Sequence, residues 1–135
     1  MKKLAPVLLS LIILVSACEK NVDNNDSNSQ TLANGLYKGR FSRTGMDTVN
    51  VSISVFQGNF EGESDRQYYP AICRGSVSKD NSGITFMDSC AWQANFDWTL
   101  ILNGNYQLTE NGNEIRIWRN NGASTDEYLL IRQSR

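Results

Sequence analysis

ICRGSVSKDNSGITFMDSCAWQANFDWTLIL, residues 72–102, is the stretch on which the fold turns. Folded as a hairpin about Asp80-Asn81-Ser82-Gly83, it sets Val77 opposite Phe86, Gly75 opposite Asp88 and Cys73 opposite Cys90. One register thus gathers an apolar pair on one side of the ribbon and brings the two thiols face to face. Directly opposed Cβ atoms in an antiparallel ladder lie at the separation a disulfide needs. Closing the intervening loop would contribute about 3 kcal/mol, a substantial share for a domain of this size. The alternative for these cysteines is a redox pair. It lacks the Cys-x-x-Cys spacing that depresses a thiol pKa, and the chain has no histidine to activate either sulfur.

Outward from this hairpin the pattern stays β. In Thr48–Phe56, Val49, Val51, Ile53 and Val55 alternate with Asn50, Ser52 and Ser54, the signature of a strand with one buried and one wet face. Leu36–Ser42, Phe60–Ser64, Ala71–Ser78, Ile84–Ser89 and Trp98–Leu102 read as further strands. Tyr106–Thr109 is expected to pair with Ile115–Arg119 across an Asn111-Gly112 turn, with Leu108 meeting Ile115 and Tyr106 meeting Ile117. A polar loop, Asn120–Thr125, leads into a last strand, Asp126–Arg132. No helix-period stretch of useful length intervenes. The chain reads as all-β: an antiparallel up-and-down meander of about eight strands, closing into a barrel that removes exposed edges, or else a β-sandwich or open half-barrel.

Met1-Lys2-Lys3, the apolar run Leu4–Val15 and the small residues before Cys18 describe an export signal too short to span a bilayer. Val15-Ser16-Ala17-Cys18 resembles the bacterial lipoprotein lipobox in all four positions. The resemblance implies a signal peptide over residues 1–17, cleavage before Cys18, and lipid on that cysteine. Acyl chains anchor a protein firmly without a transmembrane helix. The implied address is the bacterial cell envelope, lipid-anchored to the outer membrane, where Cys73 and Cys90 would be oxidised. Residues 18–33, rich in Asn, Asp and Ser, read as a flexible tether, and 34–135 as the folded domain. Loss of Lys2 and Lys3 with the signal takes two of the 13 basic residues and none of the 14 acidic ones, leaving net −3. By net charge alone, lipid is what holds the domain to the membrane.

An exported chain with an antiparallel meander of this length looks like the small lipocalin-like (calycin-type) lipoproteins of Bacteroidetes. Gly35-Leu36-Tyr37 stands where a lipocalin has Gly-x-Trp on its first strand, and Arg132 stands where the family places an arginine over that aromatic. The resemblance implies a binding module for a small apolar ligand.

The residues themselves exclude more than they assign. Net charge is −1 and no Lys/Arg cluster appears, so nucleic acid is not an expected partner. There is no nucleophile–base pair, phosphate loop or metal-ligand cluster, so neither an enzyme nor a cofactor is expected. Glu61, Glu63 and Asp65 share one strand face and read as a solvated surface rather than a calcium site. Asp88 falls on the face of Phe86 and Cys90, where it either pairs with Arg74 or Arg116 or sits at a wet rim. Tyr68, Tyr69, Trp92 and Trp98, with Phe96, cluster near connections. The first four are the expected border of a site at a barrel end, for a small apolar ligand or an envelope protein.

Overall fold

Strand alternation decides which side chains meet inside. The computed structural model describes residues 30–134 apart from Ala94; the expected signal peptide 1–17, Cys18 and the expected tether as far as residue 29 lie outside the described residues. Eight strands run antiparallel in chain order around a closed barrel. They are β1 Gly35–Arg43, β2 Val49–Phe56, β3 Asn59–Ser64, β4 Arg74–Asp80, β5 Gly83–Asp88, β6 Gly104–Asn111, β7 Glu114–Asn121 and β8 Ser124–Arg132. Closure comes from β1 pairing with β8, from Tyr37 opposite Arg132 to Arg43 opposite Asp126. The barrel, not the sandwich, is the outcome.

Val51, Ile53 and Val55 of β2 all point inward, as alternation requires, with Val77 of β4 and Ile84 and Phe86 of β5. Through the interior runs a continuous row of six rings. Phe60 meets Phe86 at 5.2 Å, Phe86 meets Tyr106 at 5.8 Å and Tyr106 meets Tyr128 at 6.2 Å; Tyr128 then meets Phe41 at 4.8 Å and Phe41 meets Tyr69 at 5.3 Å. These rings are buried and fill the space a ligand cup would occupy.

The opening hairpin has the expected register, with Gly75 opposite Asp88 and Val77 opposite Phe86. Gly75 cannot be exchanged: a Cβ there would stand 1.9 Å from the Met87 carbonyl oxygen. Cys73 and Cys90 form the disulfide with Cα atoms 6.4 Å apart. Both lie just past the ladder, so the bond ties together the two loops leaving it.

Four expectations need correction. The run 98–102 is not a strand: Trp98–Leu100 is a 3-10 turn. Its N-cap Asp97 accepts from the Thr99 amide and hydroxyl, a local bond that competes with extended pairing. Ile101 then makes an isolated parallel bridge to Ala71, against the expectation of antiparallel pairing throughout. In the β6–β7 hairpin Leu108 faces Ile117, not Ile115, because Gly112-Asn113 forms the two-residue turn. Gly112, at φ 61°, takes the first central position, where a type II′ turn wants glycine. Residues 120–125 are no loop: the strands continue to a tight Gly122-Ala123 turn, with Asn121 opposite Ser124.

The folded domain also begins earlier than residue 34. Gln30 exchanges two backbone hydrogen bonds with Lys79, at 2.8 and 2.6 Å, and Leu32 is buried in the core. Residues 30–34 thus cross one end of the barrel from β4 to β1. Tyr37 is buried and donates its hydroxyl to the Ala33 carbonyl at 2.6 Å. Arg132 donates to the Asn34 carbonyl from Nε and Nη2, at 3.0 and 2.6 Å. This end carries the short turns Gln57-Gly58, Asn81-Ser82 and Gly112-Asn113. The opposite end carries the long connections 44–48, 65–73 and 89–103.

Candidate functional site

The long-loop end is built on charge placed inside the barrel. Asp126 stands opposite Arg43 of β1 and opposite Arg119 of β7. Arg43 and Asp126 are only 8% and 1% exposed. The Arg43 guanidinium donates Nε and Nη2 to the two Asp126 oxygens, at 2.5 and 2.8 Å. Its Nη1 reaches Asp97 and the Thr99 hydroxyl, both at 2.9 Å. Arg119 adds a bond to Asp126 at 3.2 Å and donates to the Asn103 carbonyl at 2.7 Å and to the carbonyl of Thr99, while stacking over the Tyr106 ring at 4.6 Å. The Asn121 side-chain amide donates a further bond to the Asp126 oxygen that Arg119 shares, at 2.9 Å. Buried charges persist only when paired and hydrogen-bonded, and this one is.

Protonation follows from the geometry. The hydrogen bond to Asp126 pushes Arg43 above its already high value, so it stays charged. The Thr99 hydroxyl, with Arg43 beside it, holds the Asp97 carboxyl below the ordinary carboxylate range. Burial pushes the Tyr106 hydroxyl up to about 12. The network clamps the start of the 97–103 segment onto the barrel mouth. None of its bonds was legible from spacing, since the three charges come together only once β8 has closed against both neighbours.

Above this clamp lies an aromatic plate. Tyr68 stacks on Phe96 with centroids 4.5 Å apart and planes 11° from parallel. Trp92 packs edge-on to both rings, at 6.1 Å from Tyr68 and 5.6 Å from Phe96. Trp98 tilts against Phe96 at 6.4 Å and is 58% exposed. Tyr68 comes from the β3–β4 connection and the other three from the β5–β6 connection. The Cys73–Cys90 disulfide joins those connections at their base. Asp88 finds neither Arg74 nor Arg116; its carboxylate accepts from Trp92 Nε1 at 2.7 Å and fixes that indole. Tyr68, Trp92 and Trp98 are thus brought together, with Phe96 as the ring between them.

Tyr69 does not join them. It is 5% exposed, its ring lies against Phe41, and its hydroxyl donates to the Asp47 carbonyl at 2.8 Å. Tyr68 has φ 59°, and successive side chains at that kink diverge, one to the plate and one to the core. Glu61, Glu63 and Asp65 stay on the outer surface, with Asp65 accepting from the Asn50 amide at 2.9 Å.

With this geometry in view, no protein-family model, curated protein or solved structure matches the chain. Function has to be argued from the site.

Proposed function

We propose that the chain is a lipid-anchored cell-envelope protein whose lipocalin-like barrel is a non-enzymatic module binding another envelope protein. The single observation carrying this reading is the plate of Tyr68, Trp92, Phe96 and Trp98 at the mouth of a filled barrel. Aromatic rings held in place offer large contact area at little entropic cost, which is what a protein partner uses. A bulky residue at φ 59° costs about 1–3 kcal/mol, and such strain collects where function requires a side chain to be presented. The disulfide, the Asp88–Trp92 bond and the charge clamp beneath hold the plate in place before any partner arrives.

The small-ligand reading that the family resemblance implies meets the six-ring row where its cup would be. An apolar ligand would have to lie on the plate instead. Support for a lipocalin-like ancestry rests on the closed eight-stranded barrel and on Arg132 opposite Tyr37. The envelope address rests on the four lipobox positions ending at Cys18.

The test is capture from solubilised envelope by tagged protein, compared with Trp98→Ala and Tyr68→Ala. Partner recovery should fall at least tenfold in both, with the melting temperature nearly unchanged for Trp98→Ala. Capture identical in all three proteins would remove the plate from function.

A further inference from the structure

The outer wall formed by β2, β1 and β8 carries a second surface that the plate does not use. Seven large hydrophobic side chains are exposed among the described residues, and four of them, Leu36, Phe56, Leu129 and Ile131, lie together here. Leu36 pairs with Ser54, which puts it diagonal to Phe56; Lys38 stands directly opposite Ile131, and Arg40 opposite Leu129. Lys38 and Arg40 are exposed and enter no ion pair among the described residues. The acidic row Glu61, Glu63 and Asp65 is kept beyond β2, on β3 and its end. Glu114 borders the wall from β7, and Glu127 is neutralised by Arg116.

The geometry points to this wall as the face that rests on the anionic bilayer to which the protein is anchored. The inference rests on the proposed lipid at Cys18. Apolar side chains interleaved with cations match the boundary between acyl chains and anionic headgroups. Net charge misses this, because Lys38 and Arg40 share the wall with the apolar side chains while the nearest acidic row stands one strand further out, with Glu63 opposite Ser52 and Asp65 bonded to Asn50. Phe56, Leu36 and Ile131 also sit toward the short-turn end, the end at which Gln30 enters the domain against β4. Eleven residues lie between Cys18 and Gln30, twelve steps of chain with a reach of at most about 43 Å. Such a tether keeps the domain at high effective concentration beside the membrane, so a weakly attractive face becomes occupied. With this wall and the short-turn end down, the aromatic plate at the other end points away from the lipid.

The experiment uses the full-length lipidated protein carrying Leu129→Trp as a reporter. It is reconstituted into phosphatidylethanolamine–phosphatidylglycerol vesicles whose acyl chains are brominated. The added indole should be quenched relative to unsubstituted protein, and Ile131→Trp should behave alike. Adding Lys38→Gln and Arg40→Gln should lower the docked-to-free ratio about 30-fold, with about fivefold from each charge, as should replacing the anionic lipid by phosphatidylcholine. Protein that sediments with the vesicles, lipidated at Cys18, yet shows no quenching from either reporter overturns the docking face and leaves the anchor standing. Protein in the supernatant with an unmodified Cys18 overturns both. Reporter emission that shifts to the blue without quenching, in proportion to protein per vesicle, means a second copy covers the wall and likewise overturns a lipid contact.

Discussion

Asp126 shows how much one residue can organise. Its carboxylate takes bonds from Arg43, Arg119 and Asn121, and through Arg43 it reaches Asp97 and Thr99. Removing it leaves a guanidinium buried at the barrel mouth with only Asp97, which is half in water, as a charged partner. Breaking a buried pair by deleting one member costs about 3–5 kcal/mol, whereas replacing both members with apolar residues of similar volume is often neutral. Asp126→Ala should therefore lose about 3–5 kcal/mol in urea denaturation, and Arg43→Met with Asp126→Leu should recover most of that loss. A single variant as stable as the parent would show that the pair is incidental. In the sequence Asp126 is merely the first residue of the last strand. Its role depends on partners 83 and 7 positions away.

Elements differ in how far local sequence constrains them. The β4–β5 hairpin was legible because two independent constraints, the apolar pair Val77–Phe86 and the opposed cysteines, demand one register. For β6–β7 the pattern could not decide. A slip of two residues leaves Tyr106, Ile115 and Ile117 on the inner face, so side-chain alternation is the same in both registers. Only the turn distinguishes them, and Gly112-Asn113 is used rather than Asn111-Gly112. At Trp98–Leu102 the apolar run looked like a strand, yet Asp97 capping and the clamp from Arg43 and Arg119 hold it in a 3-10 turn. The plate was found by its composition, but the direction of Tyr69 was not. That direction turns on the kink at Tyr68, φ 59°, which nothing in the local residue pattern signals. Because Cys73–Cys90 joins both plate-bearing connections, Cys73→Ser with Cys90→Ser should cost about 3 kcal/mol. The same variant should red-shift tryptophan emission in the folded state as Trp92 loosens. Unchanged emission would mean that Asp88 and ring stacking suffice to hold the plate.

For the molecule as a whole the deciding fact is a barrel with its interior filled. An eight-stranded barrel is just wide enough for side chains to fill it or for one small ligand to occupy it, and large aromatics choose the first course. Phe86 sits mid-row, 1% exposed, touching Phe60 on one side and Tyr106 on the other. No outer residue can shift to replace it, since the strands around it are fixed by backbone ladders on both sides. Phe86→Ala should therefore leave a dry apolar hole and cost about 3–5 kcal/mol. A hole of that kind binds small apolar molecules such as benzene. The variant should accordingly be stabilised by benzene, read as a rise in melting temperature, while the parent protein should not respond. Stabilisation of the parent by benzene or by longer apolar molecules would mean that the interior opens, and the protein-partner reading would then yield to a ligand held within the barrel. A variant that melts like its parent would mean that the row of rings collapses around the gap, and the barrel would be softer than its continuous contacts imply.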